Sequence, residues 1–325
     1  MLDGNRILKL EFELRFTQAL AFTRWKQGRF LESIVLFRKI ESMLPTPSAA
    51  LFENMAHTYS TLGEYSLAQE YFKKCIELDA ENKGGVLLGL GLLADRTGDT
   101  QAGLVYCSNA LDWYTERFSA KGNVSSLEGK AALSVSKMCL KLTEYAKALQ
   151  YAEQSCHVFR STCGMESPLL ANALKLKGEI LLMMGGRSSE ARESLMHAFS
   201  IEAHKDAIDL VVLIEIEKCL VETFTRRDSS EPTEDSKNTA VQLRRASNLA
   251  LVACRRASEI VTPDANLGAL FKIMAELAIR AEDFKAAEGL LDDAIRMFST
   301  DTSPNCSILG SQCLELLRLL RDRHR

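Results

Sequence analysis

Nine cysteines and five histidines are the side chains of this 325-residue sequence best suited to hold a metal or to act as nucleophiles. Their spacing keeps them apart. Zinc sets pair their ligands at a typical spacing of about two to four residues, and the sequence has no Cys-x-x-Cys pair. Cys156-His157 with Cys163 comes nearest, and it fits no zinc pattern. His197 and His204 stand seven positions apart with no third ligand in view. Gly84-Gly85-Val86-Leu87-Leu88-Gly89 has the composition of a phosphate-cradling loop. Such a loop follows a strand and ends in Lys-Ser or Lys-Thr, and neither flank is present here. With no acid, base and nucleophile drawn together, the expectation is a protein with no catalytic residue, no metal and no cofactor. The thiols read as reduced, buried core residues.

Composition narrows the classes further. Hydrophobic residues make up 46% of the chain, enough to bury a core, so disorder throughout is excluded. Lys and Arg total 40 against 43 Asp and Glu, a net charge of −3, whereas a dedicated nucleic-acid binder carries a basic excess. Asp3, Arg6, Lys9, Glu11, Glu13 and Arg15 interrupt every apolar run near the start, so no signal-peptide core is found there. The longest nearly apolar stretch, 86–94, is far short of the ~20 residues of a membrane helix. These features point to a soluble, cytoplasmic protein with no membrane span.

Any site must be positioned by helices, because a turn signal recurs between amphipathic helical patterns of about 14 residues. It consists of a small or polar residue, a polar residue, an aromatic or aliphatic residue, and a small residue three positions on. It reads Gly28-Arg29-Phe30 with Ser33, Gly63-Glu64-Tyr65 with Ala68, and Gly98-Asp99-Thr100 with Gly103. It returns as Thr143-Glu144-Tyr145 with Ala148 and as Glu282-Asp283-Phe284 with Ala287. The first three glycines are 35 residues apart. Within 49–82, Phe52, Met55, Ala56 and Tyr59 share one helical face, Gly63 ends that helix, and Tyr65, Ala68, Phe72, Cys75 and Ile76 line the next. One such hairpin cannot bury its own apolar stripe, so neighbours must stack.

This pattern resembles the tetratricopeptide repeat. Residues 14–47 supply Leu20-Ala21, Phe30, Ser33, Phe37, Ile40 and Pro45, and residues 268–301 supply Phe271, Met274-Ala275, Ala278, Phe284, Ala287, Leu291 and Ala294. The middle repeats have a period near 42, with the connector Gly164-Met165-Glu166-Ser167-Pro168, and are similar to the long repeats of kinesin light chain. The resemblance implies an all-α, right-handed solenoid of stacked antiparallel hairpins. Its units are expected at about 14–47, 49–82, 84–118, 129–160, 171–203, 206–262 and 268–301. A capping helix over 305–323 would carry the stripe Ile308, Leu314, Leu317 and Leu320. The polar stretch 227–238 reads as a mobile insertion.

The resemblance also implies a concave groove lined by the first helix of each hairpin. The family's groove positions fall on Gln18, Phe22 and Trp25, then Glu53, Asn54 and His57, then Leu88, Leu92 and Asp95. They continue through Lys130, Leu133, Lys137 and Lys141, then Asn172, Lys175, Glu179 and Leu182, and end at Lys272, Glu276 and Arg280. A row of lysines beside apolar notches would suit acidic or amphipathic peptides. Chaperone-binding members of the family clamp a C-terminal carboxylate. Of that clamp only Asn54 is present here, with Gln18, Phe22, Gly85 and Gly89 in the other slots, so chaperone binding of this kind is not expected. The asparagine ladder of the long-repeat members is replaced by Lys175-Leu176.

Two copies of Arg-Arg-Ala-Ser, at 244–247 and 255–258, lie 11 residues apart on one helical pattern. That is about three turns, so they share a face. They read as a basic, solvated stripe, as a docking stripe for an acidic partner, or as kinase sites. The function expected overall is a non-catalytic adaptor or scaffold that binds protein partners in the groove. The alternatives are a structural subunit of a large cytoskeletal or ciliary assembly and, further off, an RNA-binding helical array.

Overall fold

The structure is a computed structural model, which describes residues 4–78, 83–119, 124–204, 209–225, 235–260, 264–300 and 303–323. These residues form fifteen helices, with no strand among them. The chain divides into two compact units, 1–144 and 145–325. The first contains α1 (Gly4–Lys26), α2 (Phe30–Met43), α3 (Ala49–Leu62), α4 (Tyr65–Leu78), α5 (Gly84–Arg96), α6 (Thr100–Ser119) and α7 (Ser126–Lys141). The second contains α8 (Tyr145–Cys163), α9 (Pro168–Met184), α10 (Ser188–Ala203), α11 (Leu210–Thr225), α12 (Asp235–Ile260), α13 (Ala265–Arg280), α14 (Phe284–Ser299) and α15 (Pro304–Arg323). Of the stretch 227–238, residues 227–234 lie outside the described residues, and α12 begins at Asp235.

The five turn signals close their helices in the same way. The first residue of each has left-handed φ: 73° at Gly28, 83° at Gly63, 93° at Gly98, 61° at Thr143 and 60° at Glu282. The N–H of the next residue then donates back five positions, as Arg29 to the Arg24 carbonyl at 2.9 Å and Glu64 to that of Tyr59 at 3.0 Å. The same bond joins Asp99 to Ala94, Glu144 to Cys139 and Asp283 to Ala278, each at 2.9 Å. This is the Schellman closure, which satisfies the last carbonyls of a helix. Threonine and glutamate adopt the strained geometry where stacking requires it. The 42-residue step is visible between the starts of α7 at Ser126 and α9 at Pro168. The Ser167 hydroxyl caps α9 by accepting from the Leu169 N–H at 3.2 Å, with Pro168 in the first turn.

In the first unit α2 packs on α1 and α3, and α4 packs on α3 and α5. The core joins Ala21, Phe37, Ile40, Met55, Ala56, Ala68 and Phe72, all buried. Small residues let helices approach: the buried Ser33 hydroxyl donates to the Ala21 carbonyl at 2.9 Å across α1 and α2. Helices α5 and α6 also approach closely. A Cβ on Gly103 would lie 2.9 Å from the Gly91 carbonyl oxygen and 3.2 Å from Met138 Sδ. Gly103→Ala therefore forces backbone apart, at about 1–3 kcal/mol, partly offset by about 1 kcal/mol of better helix propensity. Gly289 in α14 has nothing within 4 Å of its Cβ position. Gly289→Ala should gain up to about 1 kcal/mol. Urea melts of the two variants should therefore shift in opposite directions.

In the second unit α9 and α10 form a tight pair, with Leu195 filling the space a side chain at Gly178 would need. The α11 and α12 pair is irregular. Each packs on α10 and α13, with little contact between the two. Helix α15 lies on α14 through Cys306, Cys313, Leu317 and Leu320, all buried. Ile308 and Leu314 are 57% and 45% exposed, so the buried stripe of this helix runs through the two cysteines instead. Thiols are small apolar groups and pack as such.

Candidate functional site

Side chains that leave the first helices of three successive hairpins meet around one hollow in the first unit. Phe22, Trp25 and Lys26 come from α1, Asn54, His57, Ser60 and Thr61 from α3, and Gly89, Leu92 and Arg96 from α5, with Phe37 of α2 beneath. Its volume is about 470 Å³, which is in the range of ligand-binding clefts. The floor is aromatic: Phe22 meets Phe37 edge-on at 5.8 Å, and His57 meets the buried Phe72 edge-on at 5.2 Å. Gly89 is needed there, because a Cβ would overlap the Phe72 ring and press on His57. Phe22, Trp25 and Leu92 remain 45%, 40% and 38% exposed. These are large apolar surfaces left facing water on one side of a packed unit.

The polar groups of the hollow differ in how committed they are. Arg96 is held by α3, donating to the Ser60 carbonyl at 2.9 Å and to its hydroxyl at 3.2 Å. The Thr61 hydroxyl donates to the His57 carbonyl at 2.9 Å, and His57 Nε2 lies 3.8 Å from Glu53. The Asn54 carboxamide has no hydrogen-bond partner among the described residues, so its donor and acceptor are both available.

Five residues that the repeat register sends to the groove side thus surround one cavity: Phe22, Trp25, Asn54, His57 and Leu92. Gln18 is exposed on α1 and does not line it. The register alone missed Lys26, Ser60, Thr61 and Arg96. Each follows a named groove residue by one to four positions, so the i, i+3, i+4 rule finds most of them.

The lysines are arranged differently from a row of open cationic grips. Lys141 Nζ bonds both oxygens of Asp95, at 2.8 and 2.6 Å. Lys175 bonds Glu215 and lies 3.7 Å from Glu179. Lys272 donates to Gln312 Oε1 at 2.8 Å and lies 3.9 Å from Glu276. Each therefore ties its helix to the equivalent helix 40 or 46 residues away: α7 to α5, α9 to α11, and α13 to α15. Arg280 donates to the Glu276 carbonyl at 3.0 Å. Lys130 and Lys137 on α7 and Asn172 on α9 are exposed, whereas Leu133 and Leu182 are buried.

No group of three His, Cys, Asp or Glu among the described residues is arranged to hold a metal ion. Burial pushes the Cys75 and Cys107 thiols up to about 12, and those of Cys156, Cys219 and Cys313 up to about 11. Near neutral pH these five are thiols, not nucleophilic thiolates. No helix among the described residues is long and apolar enough to cross a membrane.

Residues 49–82, α3 and α4 with the segment that follows, match the tetratricopeptide repeat family. The chain thus carries a tetratricopeptide repeat, and its hairpins have the fold of tetratricopeptide-repeat proteins. Among solved structures, BtubC (BKLC) from P. vanneervenii is 15% identical over 77% of this chain and 94% of its own, with a TM-score of 0.51. Yeast Tom70 is 15% identical over 96% of this chain and 56% of its own, with a TM-score of 0.53. The C-terminal part of a tetratricopeptide repeat-containing protein from Cytophaga hutchinsonii is 13% identical over 90% of this chain and 98% of its own, with a TM-score of 0.50. At these identities the likeness is one of fold. No curated protein matches the sequence. Tetratricopeptide repeats in general are protein–protein interaction scaffolds, and the family match in this chain spans residues 49–82.

Proposed function

We propose that this chain is a non-catalytic adaptor that holds a segment of a partner protein against its first helices, with the hollow at Phe22, Trp25, Asn54, His57 and Leu92 as the anchor point. The observation that carries this reading is the pairing of exposed aromatic surface with an unpartnered carboxamide in one cavity. A bulky apolar side chain of the partner would enter between Trp25 and Leu92. Asn54 would then hydrogen-bond the backbone beside it, since a buried carboxamide needs partners. Lys26 and Arg96 at the rim favour a carboxylate next to the anchor, so the segment is amphipathic with an acidic residue near its bulky one. The committed lysines Lys141, Lys175 and Lys272 stabilise the stacking of first helices and contribute little to capture. Disordered segments suit such a surface because they can follow it over several hairpins.

A photo-crosslinking amino acid placed at Phe22 or Leu92, in the chain expressed in its own cells, tests this. Adducts from both positions, mapping to the same partner segment, are expected. Adducts forming only from a control position on an outer helix, such as Lys73, would contradict it.

A further inference from the structure

Helix α12 carries a surface that the groove does not explain. From Val241 to Ser258 the sequence has four arginines and no acidic residue, in a chain whose net charge is −3. One face of the helix is buried through Ala246, Ser247, Ala253, Cys254 and Ala257, all small. Two bonds fix it in place: Arg192 donates to Gln242 Oε1 at 2.9 Å, and Arg256 donates to the Ala203 carbonyl at 2.7 Å. The opposite face follows the spacing i, i+4, i+7, i+11, i+14 through Val241, Arg245, Asn248, Val252 and Arg255, with Arg244 beside it. All six are exposed, the two valines by 65% and 43%. From first to last this seam runs about 21 Å, at 1.5 Å per residue.

Among the described side chains, which do not include that of Glu259, the guanidiniums of Arg244, Arg245 and Arg255 make no ion pair. Other cations of the same unit are committed, as Lys175 to Glu215, Lys177 to Glu153 at 2.9 Å and Arg321 to Asp292 at 3.3 Å. Glu282 and Asp283 border the hollow beside Arg244, but the Asp283 carboxylate caps α14 by accepting from the Ala286 N–H at 3.1 Å. Ser247 is 5% exposed and helical, so the first Arg-Arg-Ala-Ser segment is closed to an enzyme that needs an extended substrate. Its arginines nonetheless face water.

We propose that the outward face of α12 is a second docking surface, separate from the groove, which takes an acidic amphipathic helix of another protein. Carboxylates of that helix pair with Arg245 and Arg255, and its aliphatic residues pack on Val241, Leu249 and Val252 in the manner of two helices in contact. The straight seam matches a helix. With no aromatic residue along it and only Val241, Leu249 and Val252 as apolar side chains, the face offers too little to insert into a lipid surface.

The probe is a synthetic fluorescent peptide with leucine and glutamate at helical spacing, read by anisotropy against the full chain. A peptide of scrambled order and phosphatidylserine vesicles form the control arms. The ordered peptide should bind and weaken as salt rises. Arg245→Glu with Arg255→Glu should weaken it by about tenfold or more, with unchanged helicity and melting, whereas Trp25→Ala should leave it unaffected. Three results would each overturn the proposal: no binding, equal binding of the scrambled peptide, or binding of the arginine-dependent kind to vesicles alone.

Discussion

Phe72→Ala should destabilise the first unit by about 3–5 kcal/mol, the usual range for emptying a buried phenylalanine site. The ring is fully buried, lies beneath His57 and occupies the space left by Gly89. Its loss removes apolar contacts from α3, α4 and α5 together, and surrounding helices can close the gap only in part. The same substitution at Phe12, which is 72% exposed on α1, should change stability by no more than about 0.5 kcal/mol. Denaturant melts of both variants, followed by helical circular dichroism, give the comparison. A loss under about 1 kcal/mol at Phe72 would mean that the stacked core is not built around this ring. Because Phe72 also supports His57, the variant should loosen the hollow, which links the packing of the unit to its binding capacity.

Glu217→Leu should act in the opposite sense. The Glu217 carboxyl on α11 is fully buried, and neither oxygen has a hydrogen-bond partner among the described residues. Burial first, and then the charge of Glu276 on α13, raises its pKa well above the usual carboxylate range. At the acid end both the folded and the unfolded chain keep this proton, and stability does not vary with its titration. As pH rises through the usual carboxylate range, the unfolded chain releases the proton and the folded chain holds it. Folding is then penalised progressively until the pH reaches the raised folded value. Leucine removes the titration and the unsatisfied oxygens together, so the variant should gain about 1–3 kcal/mol at neutral pH and above. The gain should shrink as the pH is lowered to the usual carboxylate range. Melting temperatures of wild type and variant across that interval measure it, and a gain independent of pH would rule out the proposed titration.

The turns were the most legible part of the chain. A residue with left-handed φ leaves a mark in sequence when it is glycine, as at Gly28, Gly63 and Gly98. Thr143 and Glu282 could be found only because the residues around them repeat the same pattern. That Asn54 and His57 turn away from the core followed from the same register, since the buried face of their helix is Met55, Ala56 and Tyr59. The fates of the lysines were not legible. Whether Lys141 is open or held depends on Asp95, 46 residues earlier, and that proximity arises from stacking. Helix α12 was similarly hidden: its two basic segments were plain in the sequence, but which serine is buried depends on how α12 lies on α10 and α13. In α15 the cysteines took the buried stripe from Ile308 and Leu314, because the size of a thiol suits the close approach to α14.

The groove itself is tested most directly by equilibrium titration of the partner segment captured at Phe22, prepared as a synthetic peptide, against the wild-type chain and against Trp25→Ala with Asn54→Ala. Loss of one aromatic anchor and one carboxamide bond should weaken binding by about a hundredfold, near 2–3 kcal/mol, with the chain still fully folded at the temperature of the titration despite the lost Trp25–Phe30 contact. Equal affinity for the two chains would contradict the assignment of this hollow as the place where the protein holds its partner.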